Sequence, residues 1–235
     1  SKSPSLFARQ HLVFDLLSSI LMNSPPYSST HDSFRLNNGY ETGMNTLLRL
    51  ASTFSADPNP GPTEEGAHEI ISSIFNLFSS SLLSSLASRT YFNTNVSYSA
   101  LAASLLSTGI FSSPTYSSSA LALTLTLISP PPHPPSSLQN IDAIKFLFYT
   151  ATNAPSPLPF IPLLDTVASL TDHQLHRNTT LTSSHNLTHT LTTTYNHVLS
   201  SSSHPLQPSF FSILTNLSSS YMSTSDFLSL LTYVR

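Results

Sequence analysis

The chain has 235 residues, of which only 8% are charged, with no cysteine, no tryptophan, five glycines and a formal net charge of −3. The lack of cysteine excludes a disulfide framework, a thiolate nucleophile and Cys-ligated metal. None of the five glycines is spaced as a phosphate loop or dinucleotide fingerprint, and eight basic against eleven acidic residues make a poor electrostatic footprint for a nucleic-acid binder.

Apolar residues recur at helical spacing from Leu6 to Met22, which predicts a helix ended by Pro25–Pro26. Residues 23–42 are polar and contain the turn signal Asn37-Asn38-Gly39, followed by a short helix over Gly43–Phe54 and a rigid loop at Asp57–Pro62. Thr63 offers an N-cap with Glu64 and Glu65 behind it. From there Ile71, Ile74, Phe75, Phe78, Leu82 and Leu86 form one stripe running to about Arg89, with serine on the opposite side. Serine is a mediocre helix former, so this helix is expected to need tertiary packing. A helix over Val96–Thr108 closes on Gly109 at its C′ position. In Ala120–Ile128 leucines alternate with Ala122, Thr124 and Thr126, which is the strand period, but the flanking helices favour a helix.

Pro130–Pro135 reads as a stiff spacer. Helices follow at about 138–152, 160–176, 179–200, 207–222 and 224–234, with prolines at their edges rather than inside. The fold class is therefore all-α: an irregular multi-helix bundle or stacked helix pairs with Pro-rich loops. It divides into an N-terminal helical region 1–129, a Pro-rich spacer 130–137 and a C-terminal helical region 138–235, unless these form one continuous domain. Phe160, Tyr195 and Phe227 open similar segments 35 and 32 residues apart, a hint of a helix-pair repeat. The densest apolar run, Ala120–Ile128, falls short of the roughly 20 residues that a membrane span needs.

Histidine is the enriched functional side chain, at ten copies. His185 and His189 lie four apart, share a helix face and are the candidate metal ligands, with His173, His176 and His197 nearby. Against a metal, Leu187, Leu191, Tyr195 and Val198 make the apolar stripe of that helix and leave His185, His189 and His197 on its solvated side. No carboxylate lies between Asp172 and Asp226 to support a ligand. His68 and Glu69 follow Glu64 and Glu65, but Ser72 stands where a zinc-protease pattern needs histidine. Serine is everywhere, yet no Gly-x-Ser-x-Gly elbow occurs, so a Ser–His–Asp triad is neither supported nor excluded. Glycosylation sequons at Asn95, Asn178, Asn186 and Asn216 are expected by chance among 73 serines and threonines, and the opening Ser1–Arg9 does not read as a signal peptide. Phe146, Phe148 and Tyr149 surround a single lysine, Lys145, too little cation for a nucleic-acid surface.

No catalytic residue, cofactor or enzyme activity is assigned. Low charge makes a poor free monomer, whereas hydroxyl-rich faces can be buried without desolvating ions. The expectation is a non-catalytic helical scaffold subunit that binds other subunits of a large heteromeric assembly. Residues whose codons require guanine number only 44 of 235, which suggests a guanine-poor coding strand and a mitochondrial ribosome or respiratory complex. In a ribosomal particle, nucleic acid would be a peripheral partner. The alternatives are a viral capsid protein, a helical-repeat RNA binder and, last, a metal enzyme or hydrolase on the His-rich helix.

Overall fold

The computed structural model describes residues 6–25, 28–54, 63–112, 114–128, 141–172 and 186–231. Among these residues every regular element is helical. The chain divides into two compact units, Ser1–Pro132 and His133–Arg235, each described by itself below.

The first unit contains α1 (Leu6–Asn23), α2 (Ser29–Leu36), α3 (Gly39–Phe54), α4 (Thr63–Ser84), α5 (Leu86–Asn95), α6 (Tyr98–Ser107), a 3-10 turn at Ile110–Ser112, and α7 (Pro114–Ile128). Their neighbours follow a period of three: α4 packs between α1 and α7, α3 packs on α6, and α2 packs on α5. The register between stacked helices is visible in two side-chain bonds. His11 Nδ1 meets Ser73 Oγ at 2.6 Å and Ser18 Oγ meets Ser80 Oγ at 2.9 Å, each across 62 residues. A constant offset at two points seven residues apart means that α1 and α4 run parallel. Parallel packing of every third helix is the geometry of a three-helix repeat.

α4 is the centre of this unit. Its apolar stripe, Ile71, Ile74, Phe75, Phe78 and Leu82, is buried, as read from the sequence, but so are Ser73, Ser79, Ser80 and Ser81 on the other side. The serine face is not solvated; it is the seam to α1 and α3, where Tyr40 and Ser81 hydroxyls meet at 2.6 Å. Small hydroxyls let neighbouring helices approach while keeping buried polar atoms paired. The same close approach fixes Gly43 on α3: a Cβ there would sit 2.6 Å from Phe78 Cζ. Phe78 is fully buried and cannot swing away. Gly43→Ala is therefore expected to lose about 1–2 kcal/mol, overpacking outweighing the helix-propensity gain of about 1 kcal/mol. A urea midpoint shift would measure it.

Two elements differ from the sequence expectation. The polar stretch 23–42 holds α2, whose Arg35 Nη2 donates to Asp32 Oδ1 at 2.8 Å and whose Phe34 ring packs edge-on against Tyr40 at 5.0 Å. The stripe expected to reach Arg89 breaks at Ser85, which is extended (φ −135°, ψ 119°) and accepts the Ser88 N–H to start α5. Leu86 then falls outside the core at 56% exposure. The leucine-alternating segment is helical, as its neighbours indicated: it is the last part of α7, with Thr124 and Thr126 donating to the Ala120 and Ala122 carbonyls. The turns fall as expected: Asn38 (φ 59°) reverses the chain between α2 and α3, and Gly109 (φ 66°) ends α6.

The second unit contains α8 (Ile141–Asn153), a 3-10 turn at Leu158–Phe160, α9 (Ile161–Thr171), α10 (Leu187–Thr194), α11 (Asn196–Leu199), α12 (Gln207–Ser218) and α13 (Thr224–Leu231). Pro162 and Pro208 sit in the first turns of α9 and α12, where a missing N–H costs nothing. α12 packs on α9, tied by Asn216 Nδ2 donating to the Ala168 carbonyl at 2.8 Å and Ser209 Oγ donating to Asp165 Oδ1 at 2.7 Å. Phe148, Tyr195 and Phe210 form the core, with ring centroids 5.1 to 5.9 Å apart. Phe160 and Tyr195 are buried, but Phe227 is 53% exposed, so the three aromatic positions do not share one environment.

Candidate functional site

His189 is on the exposed side of α10, and Leu187, Leu191, Tyr195 and Val198 form the buried side, as the sequence pattern indicated. A carboxylate does reach it, from far along the chain: Asp226 Oδ1 lies 3.4 Å from His189 Nδ1. Asp226 is itself buried, and its other oxygen accepts the Ser223 hydroxyl at 2.6 Å while the Asp226 N–H donates back to Ser223. This reciprocal pairing is an N-terminal cap for α13, which explains the carboxylate without a metal. His185, His173 and His176 lie outside the described residues. Among the described residues no group of three or more ligand-type side chains converges. His197 faces His204, ring centroids 6.5 Å apart, and burial together with the His197 charge lowers the His204 pKa.

His68 is buried, with Nε2 donating to the Thr108 carbonyl at 2.9 Å. It ties α4 to the end of α6, and the carbonyl it serves has no proton to exchange. One cluster does have the composition of a catalytic relay. His11 Nδ1 contacts Ser73 Oγ at 2.6 Å while His11 Nε2 lies 3.3 Å from Asp15 Oδ2. A nucleophile must meet its substrate beside oxyanion donors. Ser73 is 1% exposed in the middle of α4, where its own N–H is inside the helix. The cluster fastens α1 to α4.

His31 on α2 is also buried, and neither ring nitrogen has a hydrogen-bond partner. A buried polar group left unpaired costs about 1–3 kcal/mol. His31→Leu is therefore expected to raise stability by about 1 kcal/mol, seen as a higher urea midpoint.

An open groove of about 570 Å³ runs between α2 and α5, lined by Arg35, Leu86, Ala87, Thr90, Tyr91 and Thr94. At its edge the Tyr91 hydroxyl donates to Glu41 Oε1 at 2.5 Å, which raises the Tyr91 pKa. Arg35 already pairs with Asp32, so the groove offers a mixed apolar and hydroxyl lining rather than a free charge. Phe146 and Phe148, flanking Lys145, are core residues and unavailable for base stacking. Among the sequons, Asn95 and Asn216 have their amide nitrogens bonded to the Tyr91 and Ala168 carbonyls, and Asn186 adopts the left-handed conformation before α10. Among the described residues no helix is long and apolar enough to cross a membrane.

Among the described residues the arrangement offers helix faces. Comparison with known proteins agrees with the three-helix period: a family described as armadillo-like repeats matches residues 2–127, more than half of the chain and nearly all of the first unit. No curated protein and no solved structure matches the chain.

Proposed function

The chain belongs to the armadillo-like repeat family, a helical-repeat scaffold for protein–protein interaction, and on that premise we propose that it is a non-catalytic subunit of a permanent heteromeric assembly, housed in an organelle. The observation that carries the reading is the near absence of charge combined with hydroxyls already at work between helices. From Thr90 to Ile141 there is no Asp, Glu, Lys or Arg. In α4 the serine face packs against neighbouring helices, and Ser73, Ser80 and Ser81 pair their hydroxyls across that seam. Surfaces of this composition desolvate cheaply, as interface cores do. The mitochondrial assignment, to a ribosome or respiratory complex, is supported by the guanine-poor residue choice.

The test is native purification from the source with mass spectrometry of every co-purifying chain. A particle of fixed heteromeric composition is the expected result, and its members name the complex. A monomer overturns the reading, as does a closed shell of this chain alone, which identifies a capsid. Sequencing the coding strand tests the organellar part separately: guanine as frequent as the other bases removes its support.

A further inference from the structure

α1 is apolar on two sides. Toward α4 it buries Leu21 and half-buries Phe14 and Leu17. On the opposite arc Leu12, Val13, Leu16 and Ile20 are 62%, 55%, 62% and 43% exposed. A helix apolar on both sides is expected to be buried on both, and four branched side chains in one strip are more than the scatter normal for a surface. Arg9, Ser19 and Asn23 complete the arc, so its only charge is at the N-terminal end. The other end of the stack differs. Among its described side chains α7 exposes Ser118, Ala122 and Leu125, a single large apolar residue.

We propose that α1 packs antiparallel on α1 of a second copy, about a two-fold axis at Leu16, to form a weak homodimer. Leu12 then meets the partner's Ile20, the spacing of four on each side of Leu16 making the strip complementary to itself. Arg9 falls beside the C-terminal end of the partner helix, which has no basic residue in its last turn. A cation there is favourable. Head-to-tail contact of α1 with α7 would set the same strip against mostly small side chains. The strip offers on the order of 500 Å² per copy, so the pair reaches only the lower bound of about 1,000 Å² for a specific interface. An interface of that size suits a weak, reversible association. It is independent of what the protein scaffolds, since a homodimer can form whether or not other subunits bind.

The chain has no cysteine, so single cysteines report position without background. In sedimentation equilibrium the full chain is expected to shift from monomer to dimer across the micromolar range. Leu16→Glu, at an exposed position, keeps the helical circular dichroism and weakens dimerisation at least tenfold. Under mild oxidation Leu16→Cys links to itself, Leu12→Cys links to Ile20→Cys in a mixture of the two variants, and Asn45→Cys on the exposed side of α3 stays monomeric. A monomer at every concentration overturns the proposal. So does a dimer indifferent to Leu16→Glu, or a Leu16→Cys chain that links to Leu125→Cys instead of to itself. If Leu16→Glu alters the circular dichroism, the cysteine pairs decide alone.

Discussion

Replacing Tyr40 by alanine is expected to cost the first unit about 3–5 kcal/mol, the range for emptying a buried aromatic site. Tyr40 has no solvent exposure and its ring touches four others: Phe34, Phe78, Tyr91 and Phe92. These come from α2, α4 and α5, so the cavity left behind would be shared by three helices that cannot all close on it. Hydrogen exchange of the α3, α4 and α5 amides reads the loss directly. Tyr40→Phe separates ring from hydroxyl: it keeps the packing, orphans Ser81 Oγ, and should cost about 1 kcal/mol. The hydroxyl also carries a pH signature. Burial, the largest cause, pushes the Tyr40 pKa up to about 12. The folded state therefore holds the proton that the unfolded chain releases near pH 10. Stability from this group is fully present below pH 10 and is lost as pH rises toward 12, by about 3 kcal/mol at about 1.4 kcal/mol per pH unit. Tyr40→Phe should remove that part of the alkaline sensitivity. An unchanged slope between pH 10 and 12 would mean the phenol is not held neutral by the fold.

The second large effect belongs to Phe210. It is fully buried on α12 and packs against Phe148 at 5.1 Å and Tyr195 at 5.6 Å. Phe210→Ala is expected to cost about 3–5 kcal/mol, read as lost exchange protection in α8, α10 and α12. Phe211, next in the chain, is exposed, so Phe211→Ala is the control and should change protection little. Equal effects at the two positions would show that the core of this unit is not the aromatic cluster.

Why some of this was legible in the sequence, and some not, follows from the physics of each segment. α1, α4 and the α10 stripe were readable because burial of one face writes a 3.6-residue period. α2 was not, because it is polar except for Phe34 and the exposed Leu36 and is held by contacts with residues outside itself. The break at Ser85 was hidden by Leu86, which continues the spacing while pointing away from the core. The alternation in α7 imitates a strand because Thr124 and Thr126 are buried despite their hydroxyls. The three-helix period was invisible because the stacked pairs join segments of unequal loop length; it emerges only from the 62-residue offset between α1 and α4. The partner of His189 was equally out of reach. Asp226 lies on α13, with α11 and α12 in between, and no local spacing could have announced it.

The threonines of this protein have a consequence beyond the helices they sit in. Thr124, Thr126, Thr150, Thr152, Thr166, Thr190, Thr192 and Thr193 each donate the side-chain hydroxyl to the carbonyl four residues back. A hydroxyl engaged in that way has committed its one proton to the helix and offers a neighbour only its acceptor lone pairs and the methyl group beside them. To an approaching helix such a threonine has close to the shape of valine, with an acceptor where valine has its second methyl. A mean hydropathy of +0.04 therefore understates how oily the folded faces are.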